Sequence, residues 1–267
     1  MIFMGGTVQP NSLRTRGVSF AYLFGPPRLI DRNEASHVHG AVCDRLNLDD
    51  LSFQYNCSEP AQKPSSRGFA IVMQRQEGRG VFRIVVDHPG AGNPIRLFLE
   101  WVWPPSNIHV NERFDEAAEA VLDGGLEGQW QRVMAEARLR AQCDVKTGGS
   151  LAFLTDEVPK FSATAADTLG TPLTFVTIGL HTTPTTQTDQ PLIDPARELT
   201  IEILREDPKV LYLELVSKWT QVPIGTTAVA LNQIRPIAAK PSEYIENAQT
   251  ALCDWVSAVA GNKRDSK

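Results

Sequence analysis

The sequence predicts an α+β fold, a predominantly antiparallel sheet with helices packed on one face, arranged as two related β-α-β(n)-α halves. Three observations predict it. Short runs rich in Val, Ile and Phe alternate in character, as where Ile95, Leu97, Leu99, Trp101 and Trp103 interleave with Arg96, Phe98, Glu100 and Val102. That period of two belongs to a strand with one face in a core. Brief Gly- and Pro-rich turns, Gly78-Arg79-Gly80 and Pro89 to Pro94, join successive runs, a spacing that builds antiparallel hairpins. Finally, the order strand, helix, antiparallel strands, helix is met twice along the chain.

Taken in order, Val18 to Phe24 reads as a strand closed by Gly25-Pro26-Pro27. Asp31 with Glu34 three residues later is a capping-box pattern that starts a helix. Ala35, Val38, Val42 and Leu46 then fall on one helical stripe, as packing against a sheet requires. Leu51 to Tyr55, Phe69 to Gln74, Val81 to Asp87 and Ile95 to Trp103 read as strands. Asn111 is read as the cap of a helix to Leu122, and Gln129 to Gln142 as a second helix burying Trp130, Val133, Met134, Ala137 and Ala141.

In the second half, Leu151 to Thr155 and Leu173 to His181 read as strands, Phe161 to Leu169 as a helix, and Thr182 to Pro195 as a polar loop. Leu199 to Leu204 and Val210 to Trp219 form a hairpin about Glu206-Asp207-Pro208. A last helix from Pro241-Ser242 carries Ile245, Ala248, Leu252, Trp255, Val256 and Val259 on one face. With a hinge at Lys146 to Gly149, the expected organisation is a flexible arm over 1–16, halves over 17–146 and 147–260, and a polar tail over 261–267.

Two local features favour an internal duplication. Leu97-Phe98-Leu99-Glu100 and Leu211-Tyr212-Leu213-Glu214 each lie in the last strand before a closing helix. The repeated element order resembles that of the TATA-binding-protein saddle. That likeness concerns fold alone, and fold does not carry function.

Composition narrows the function classes. The chain has 267 residues, 42% hydrophobic and 21% charged, with a net charge of −5. Nonspecific nucleic-acid binding draws on a basic surface that displaces counterions, so this balance disfavours it. Cys43, Cys57, Cys143 and Cys253 form no C-x-x-C pair and read as reduced thiols of a cytoplasmic protein. No apolar stretch reaches the about 20 residues of a membrane helix, and the start has no charged segment of a signal peptide.

The densest reactive cluster is His37-Val38-His39-Gly40-Ala41-Val42-Cys43-Asp44. His37 and His39 lie roughly 200° apart around a helix and cannot share an ion. His39 and Cys43, four apart, do share a face. A metal would need further ligands such as His88 or Cys57, and a nucleophile pair would need an oxyanion site. A half-buried histidine beside a structural thiol is the simpler reading, so neither metal nor cofactor is expected. Gly78, Gly80, Gly90 and Gly92 lie between strands, as turn glycines rather than a phosphate loop.

Arg75, Arg79, Arg83 and Arg96, near Phe82 and Phe98, are either the solvated face of a sheet or a surface for an acidic partner. Trp101, Trp103 and Trp219, at the ends of corresponding strands, suit a core or an interface anchor. Glu100 and Glu214, paired by the duplication, offer an acid–base pair if they face one another across the axis relating the halves, but surface positions on their strands are the simpler reading. With no assembled catalytic motif, the chain reads as a binding or interaction module without catalysis of its own, using a sheet face or a groove between halves. Its expected binding residues are Arg75, Arg83, Arg96, Trp101, Trp103 and Trp219, and its expected partner is a protein or a second copy. An enzyme with a cavity including His39 and Cys43 is the alternative, and nucleic-acid binding through an Arg-rich sheet is the third reading.

Overall fold

The computed structural model describes residues 8–25, 29–57, 68–90, 94–105, 107–126, 131–146, 149–150, 154, 177–182, 195–203, 207, 209–220 and 239–261. Nine strands form one sheet: β1 (Arg14–Gly25), β2 (Ser52–Cys57), β3 (Phe69–Glu77), β4 (Gly80–His88), β5 (Ile95–Val102), β6 (Gln131–Asp144), β7 (Thr177–Thr182), β8 (Ala196–Ile203) and β9 (Val210–Thr220). Their order is β2-β3-β4-β5-β1-β6-β9-β8-β7, and every pairing is antiparallel. The helices are α1 (Arg32–Leu46), α2 (Asn107–Val121) and α3 (Pro241–Gly261).

Alternation decides which side of the sheet is covered. Val18, Phe20, Tyr22 and Phe24 of β1, Ile84 and Val86 of β4, Leu97 and Leu99 of β5, and Leu211 and Leu213 of β9 are buried. They share that core with Val38 and Val42 of α1, Val110 and Phe114 of α2, and Ile245 and Ala248 of α3. Phe82 meets Phe114, and Tyr244 meets both Phe20 and Trp219. Residues of the opposite register, Arg83, Val85, Phe98, Glu100, Arg138, Arg140, Tyr212 and Glu214, are half-buried on the other side.

Several expectations are met residue by residue. Asp31 caps α1 in a complete capping box, and Ala35, Val38, Val42 and Leu46 are its buried residues. The β3–β4 and β8–β9 hairpins form as expected, with Gly78 at φ +60° in the first turn.

Others are corrected. The helix expected over Gln129 to Gln142 is the strand β6, in which Ala135, Ala137, Leu139, Ala141 and Cys143 are buried and alternate with half-buried Glu136, Arg138 and Arg140. Its alanines favour a helix locally, but here their small size lets α3 lie close to the sheet, where β6 is its main strand contact. Tertiary packing overrides propensity.

Helix α2 begins at Asn107, so Asn111 caps nothing; its amide donates to Glu246 Oε1 of α3 at 3.0 Å. Leu154, in the run read as the strand Leu151 to Thr155, is helical, as are Gly149 and Ser150 before it; the other residues of that run lie outside the described residues. The arm expected over 1–16 is built into the fold from Val8, which bridges to Val145, through a 3-10 turn at Pro10–Ser12 into β1. Trp130, Val133, Gly92, Phe161 to Leu169 and the tail from 262 lie outside the described residues or side chains. Strand β6 continues the sheet of β1 to β5 without a break, so the two expected halves share one sheet. Among the described residues no helix is long and apolar enough to cross a membrane.

Two polar contacts fix the helix layer. Glu243 accepts from the backbone of Lys240, which precedes α3, but a lysine side chain cannot accept in return. Asp115 of α2 supplies the acceptor instead, taking Ser242 N–H at 2.9 Å and Ser242 Oγ at 2.7 Å, so one helix caps another. Nearby, Glu119 of α2 binds Lys240 Nζ at 2.9 Å and also Arg45 of α1. The hydrogen bond from Lys240 holds the Glu119 carboxyl below its ordinary range.

Replacing Asp115→Ala is expected to lower stability by about 1 kcal/mol, the usual loss for an N-cap, read as a shift in denaturant midpoint, with Asp115→Asn losing less. Because the folded state depresses the Glu119 pKa, its contribution is complete above the unfolded carboxyl pKa and fades as pH falls through the folded one. Acid unfolding of Glu119→Gln is therefore expected to be less steep in that range than that of the parent.

Candidate functional site

No element among the described residues covers the side of the sheet opposite the helices, and its centre is a lattice of paired charges. Central β1 presents Gly17, Ser19 and Ala21 there, with Gly17 opposite Val102 and Arg140 and Ser19 opposite Glu100 and Arg138. These small residues leave room for long side chains from neighbouring strands to meet above β1. Arg140 Nη1 reaches Glu100 Oε1 at 3.3 Å, and its Nε donates to Glu214 Oε1 at 3.0 Å. Glu100 also holds Arg83 at 3.6 Å. Arg138 lies between Glu136 at 3.4 Å and Glu214 at 3.7 Å, and Lys218 meets Glu136 at 3.8 Å. At one flank Arg96 grips Asp87 with two bonds, of 3.0 and 2.6 Å.

The surroundings set the protonation of these groups. Burial lowers the Arg140 pKa, but the bond to Glu214 and the charges of Tyr212, Glu214 and Glu100 outweigh it, and the guanidinium is held above its ordinary value. The Asp87 fork raises Arg96 likewise. Burial, then Glu214, pushes the Tyr212 phenol up. Each cation on this lattice is met by an acid, so the face offers phosphates no uncompensated positive stripe.

Glu100 and Glu214 thus do share one face, though with Arg140 clasped between them. The expected Arg75–Arg83–Arg96 surface divides. Arg83 and Arg96 are on the open side, whereas Arg75 pairs across to core residue Phe82 and so lies on the helix side, where its Nε meets Asp50 at 3.1 Å. Arg79 is an exposed turn residue.

The tryptophans divide too. Trp101 and Trp219 are each 2% exposed, packed on Phe82 and Tyr244 respectively. Trp103 lies beyond the end of β5 at φ +57° and is 47% exposed. Its ring therefore does not continue the row of Trp101. A bulky side chain at positive φ is a strained arrangement. Gly80 makes it possible: a Cβ there would come within 2.2 Å of the Val102 carbonyl oxygen and 2.6 Å of that of Trp103. The Arg16 guanidinium lies 3.8 Å over the Trp103 ring, and the Trp103 N–H donates to the Arg16 carbonyl.

His39 and Cys43 are adjacent on α1, with Cys43 Sγ 3.3 Å from His39 Nε2. The same nitrogen lies 3.1 Å from the Leu51 carbonyl oxygen. A carbonyl can only accept, so Nε2 carries the proton and is not a base toward the thiol. Burial, then Asp44 and Asp49, raises the Cys43 pKa, the reverse of nucleophile activation. His88 is buried, its Nδ1 accepts from Gly90 N–H at 2.9 Å, and burial lowers its pKa despite Asp87. Among the described residues no group of three His, Cys, Asp or Glu is placed to hold a metal.

Arg138 and Arg140 escape the sequence reading because their strand, β6, reads as a helix, and Lys218, on the correctly read strand β9, because its partner Glu136 lies on β6. The signal was the alternation of Glu136, Arg138, Arg140 and Gln142 with alanine and leucine. Arg16 was assigned to an arm. Compared with known proteins, the chain matches no protein-family model and no curated protein.

Alkylation with peptide mapping at neutral pH separates the thiols. Exposed Cys57 and Cys253 are expected to react first, and Cys43 and buried Cys143, both with raised pKa values, last. Cys43 reacting fastest would restore the nucleophile reading.

Proposed function

We propose that this chain is a binding module whose sheet face opposite the helices, uncovered among the described residues, receives a protein partner. The observation that carries the reading is the lattice itself, Arg83–Glu100–Arg140–Glu214–Arg138–Glu136–Lys218, laid across strands β4, β5, β6 and β9 on the face opposite the helices. Side chains already held by one another lose little further freedom on docking. Alternating charges of both signs favour a partner with a matching pattern over a uniformly charged polymer. Val85, Phe98 and Val102, half-buried on the same face, supply the apolar area that such interfaces need.

An internal duplication is part of the proposal, with its second unit beginning at β6 rather than after the hinge expected at Lys146 to Gly149. From the centre outward the strands run β1-β5-β4-β3-β2 one way and β6-β9-β8-β7 the other. Each first strand pairs with the last strand of its own group. A half-turn about the Val18–Leu139 pair carries Glu100, opposite Ser19, onto Glu214, opposite Arg140. The same half-turn carries Val102 onto Val216. A two-fold related surface suits a partner, or a second copy, with approximate symmetry of its own.

The enzyme reading on His39 and Cys43 has less support, since that pair lacks an available base. Binding of nucleic acid through the arginines is likewise weakened by their carboxylate partners.

A photo-activatable cross-linker at Phe98 on the open face, with Cys253 on the exposed side of α3 as a control, tests the reading in cells that express the chain natively. Specific adducts at Phe98, absent at Cys253 and reduced at least several-fold by Arg138→Glu with Lys218→Glu, are expected. A strict monomer by native mass measurement with no adduct at Phe98 overturns it.

A further inference from the structure

At one end of the central strands three local irregularities converge. The β1–β6 register shifts between Thr15 and Gly17, leaving Arg16 as the extra residue of a bulge, a device that re-aims a side chain. Across the β1–β5 boundary Trp103 is held at positive φ and exposed, and Gly80 is required beneath it. Arg16 lies on the Trp103 ring on one side and lines a groove of about 490 Å³ on the other, together with Gln9, Arg14, Gln142, Asp144 and Lys209. Val145, Asp207 and Val210 complete the lining.

The charges of this groove do not cancel as those of the lattice do. Arg14 is met by Asp144 at 3.5 Å, and Asp207 accepts from the backbone N–H of Lys209 at 3.0 Å. Arg16 and the Lys209 ammonium have no acidic partner among the described residues. Arg16 Nε is buried without a hydrogen-bond acceptor among them. Burial, then the charge of Arg14, makes the Arg16 cation harder to hold, and an anion in the groove would relieve both.

We propose that this groove is a carboxylate site for an acidic peptide segment of the partner, with the carboxylate on Arg16 and Lys209 and an apolar neighbour on Trp103. Tryptophan and arginine are the residues that most often anchor interfaces. Asp144, Asp207, Gln9 and Gln142 offer acceptors to peptide N–H groups while repelling a doubly charged free phosphate. A peptide therefore fits better than an inorganic oxyanion. The site deepens the binding-module reading by naming the chemistry of its partner.

The test is fluorescence anisotropy at low ionic strength with the full chain and three probes: a labelled oligoglutamate with one central leucine, its oligoglutamine counterpart, and inorganic phosphate as competitor. Saturable binding of the glutamate peptide alone is expected. Arg16→Gln and Lys209→Gln should each weaken it about tenfold, the usual loss for a charge-assisted hydrogen bond. Trp103→Gly relieves the backbone strain, so it should weaken the peptide without lowering the melting temperature. The site is overturned by no saturable binding, by equal binding of oligoglutamine, by unchanged affinity in both charge variants, or by phosphate displacing the peptide at equal concentration. Failure here with Phe98 adducts intact removes this site alone, whereas failure of both removes the module.

Discussion

The ladder between β1 and β6 is the constraint on which the rest depends. It is the one pairing that joins the five strands β2-β3-β4-β5-β1 to the four strands β6-β9-β8-β7. A shift of one residue there would send every side chain of one group to the wrong face. The helix-side row of β1 is large and aromatic, Phe20, Tyr22 and Phe24, and that of β6 is small, Ala135, Ala137 and Ala141. Large beside small gives α3 a shelf to lie on, and Tyr244 stacks on Phe20 at 5.6 Å across it. On the other face the sizes reverse, Gly17 and Ser19 beside Arg140 and Arg138. The two faces of this single ladder thus seat a helix on one side and a charge lattice on the other.

Much of the fold was legible because it is written locally. The capping box at Asp31 and Glu34, the stripe of α1, the period-2 runs of β3, β4 and β5 and the β8–β9 hairpin depend on near neighbours. What escaped depends on distant ones. Ala135, Ala137 and Ala141 lie in a strand because β6 pairs with β1 and β9, both distant in the chain, and α3, later still, packs on β6. Asn111 resembles a helix cap locally, yet its partner is Glu246.

The site was legible to a similar degree. Glu100 and Glu214 stand out through the echo of their strands, but the sequence favours plain surface positions for them and does not indicate that they share one cation. Arg140, the cation between them, sat in the misread segment. Trp101 and Trp103 looked alike because alternation says nothing about where a strand stops. The stop is set by Gly80 on the neighbouring strand, whose lack of a Cβ lets the chain turn at Trp103. No period in the sequence encodes that contact.

The sheet order has a consequence for how the chain reaches this form. Strand β1 comes first during synthesis, yet the two strands that flank it begin only at Ile95 and Gln131. Until then its row of Val18, Phe20, Tyr22 and Phe24 has no hydrogen-bonded neighbour, while β2, β3 and β4 can already close as a local meander. Such delayed, non-local closure makes folding slow and leaves greasy backbone open to wrong partners. The nascent first strand is therefore the segment that a ribosome-associated chaperone has most reason to shield.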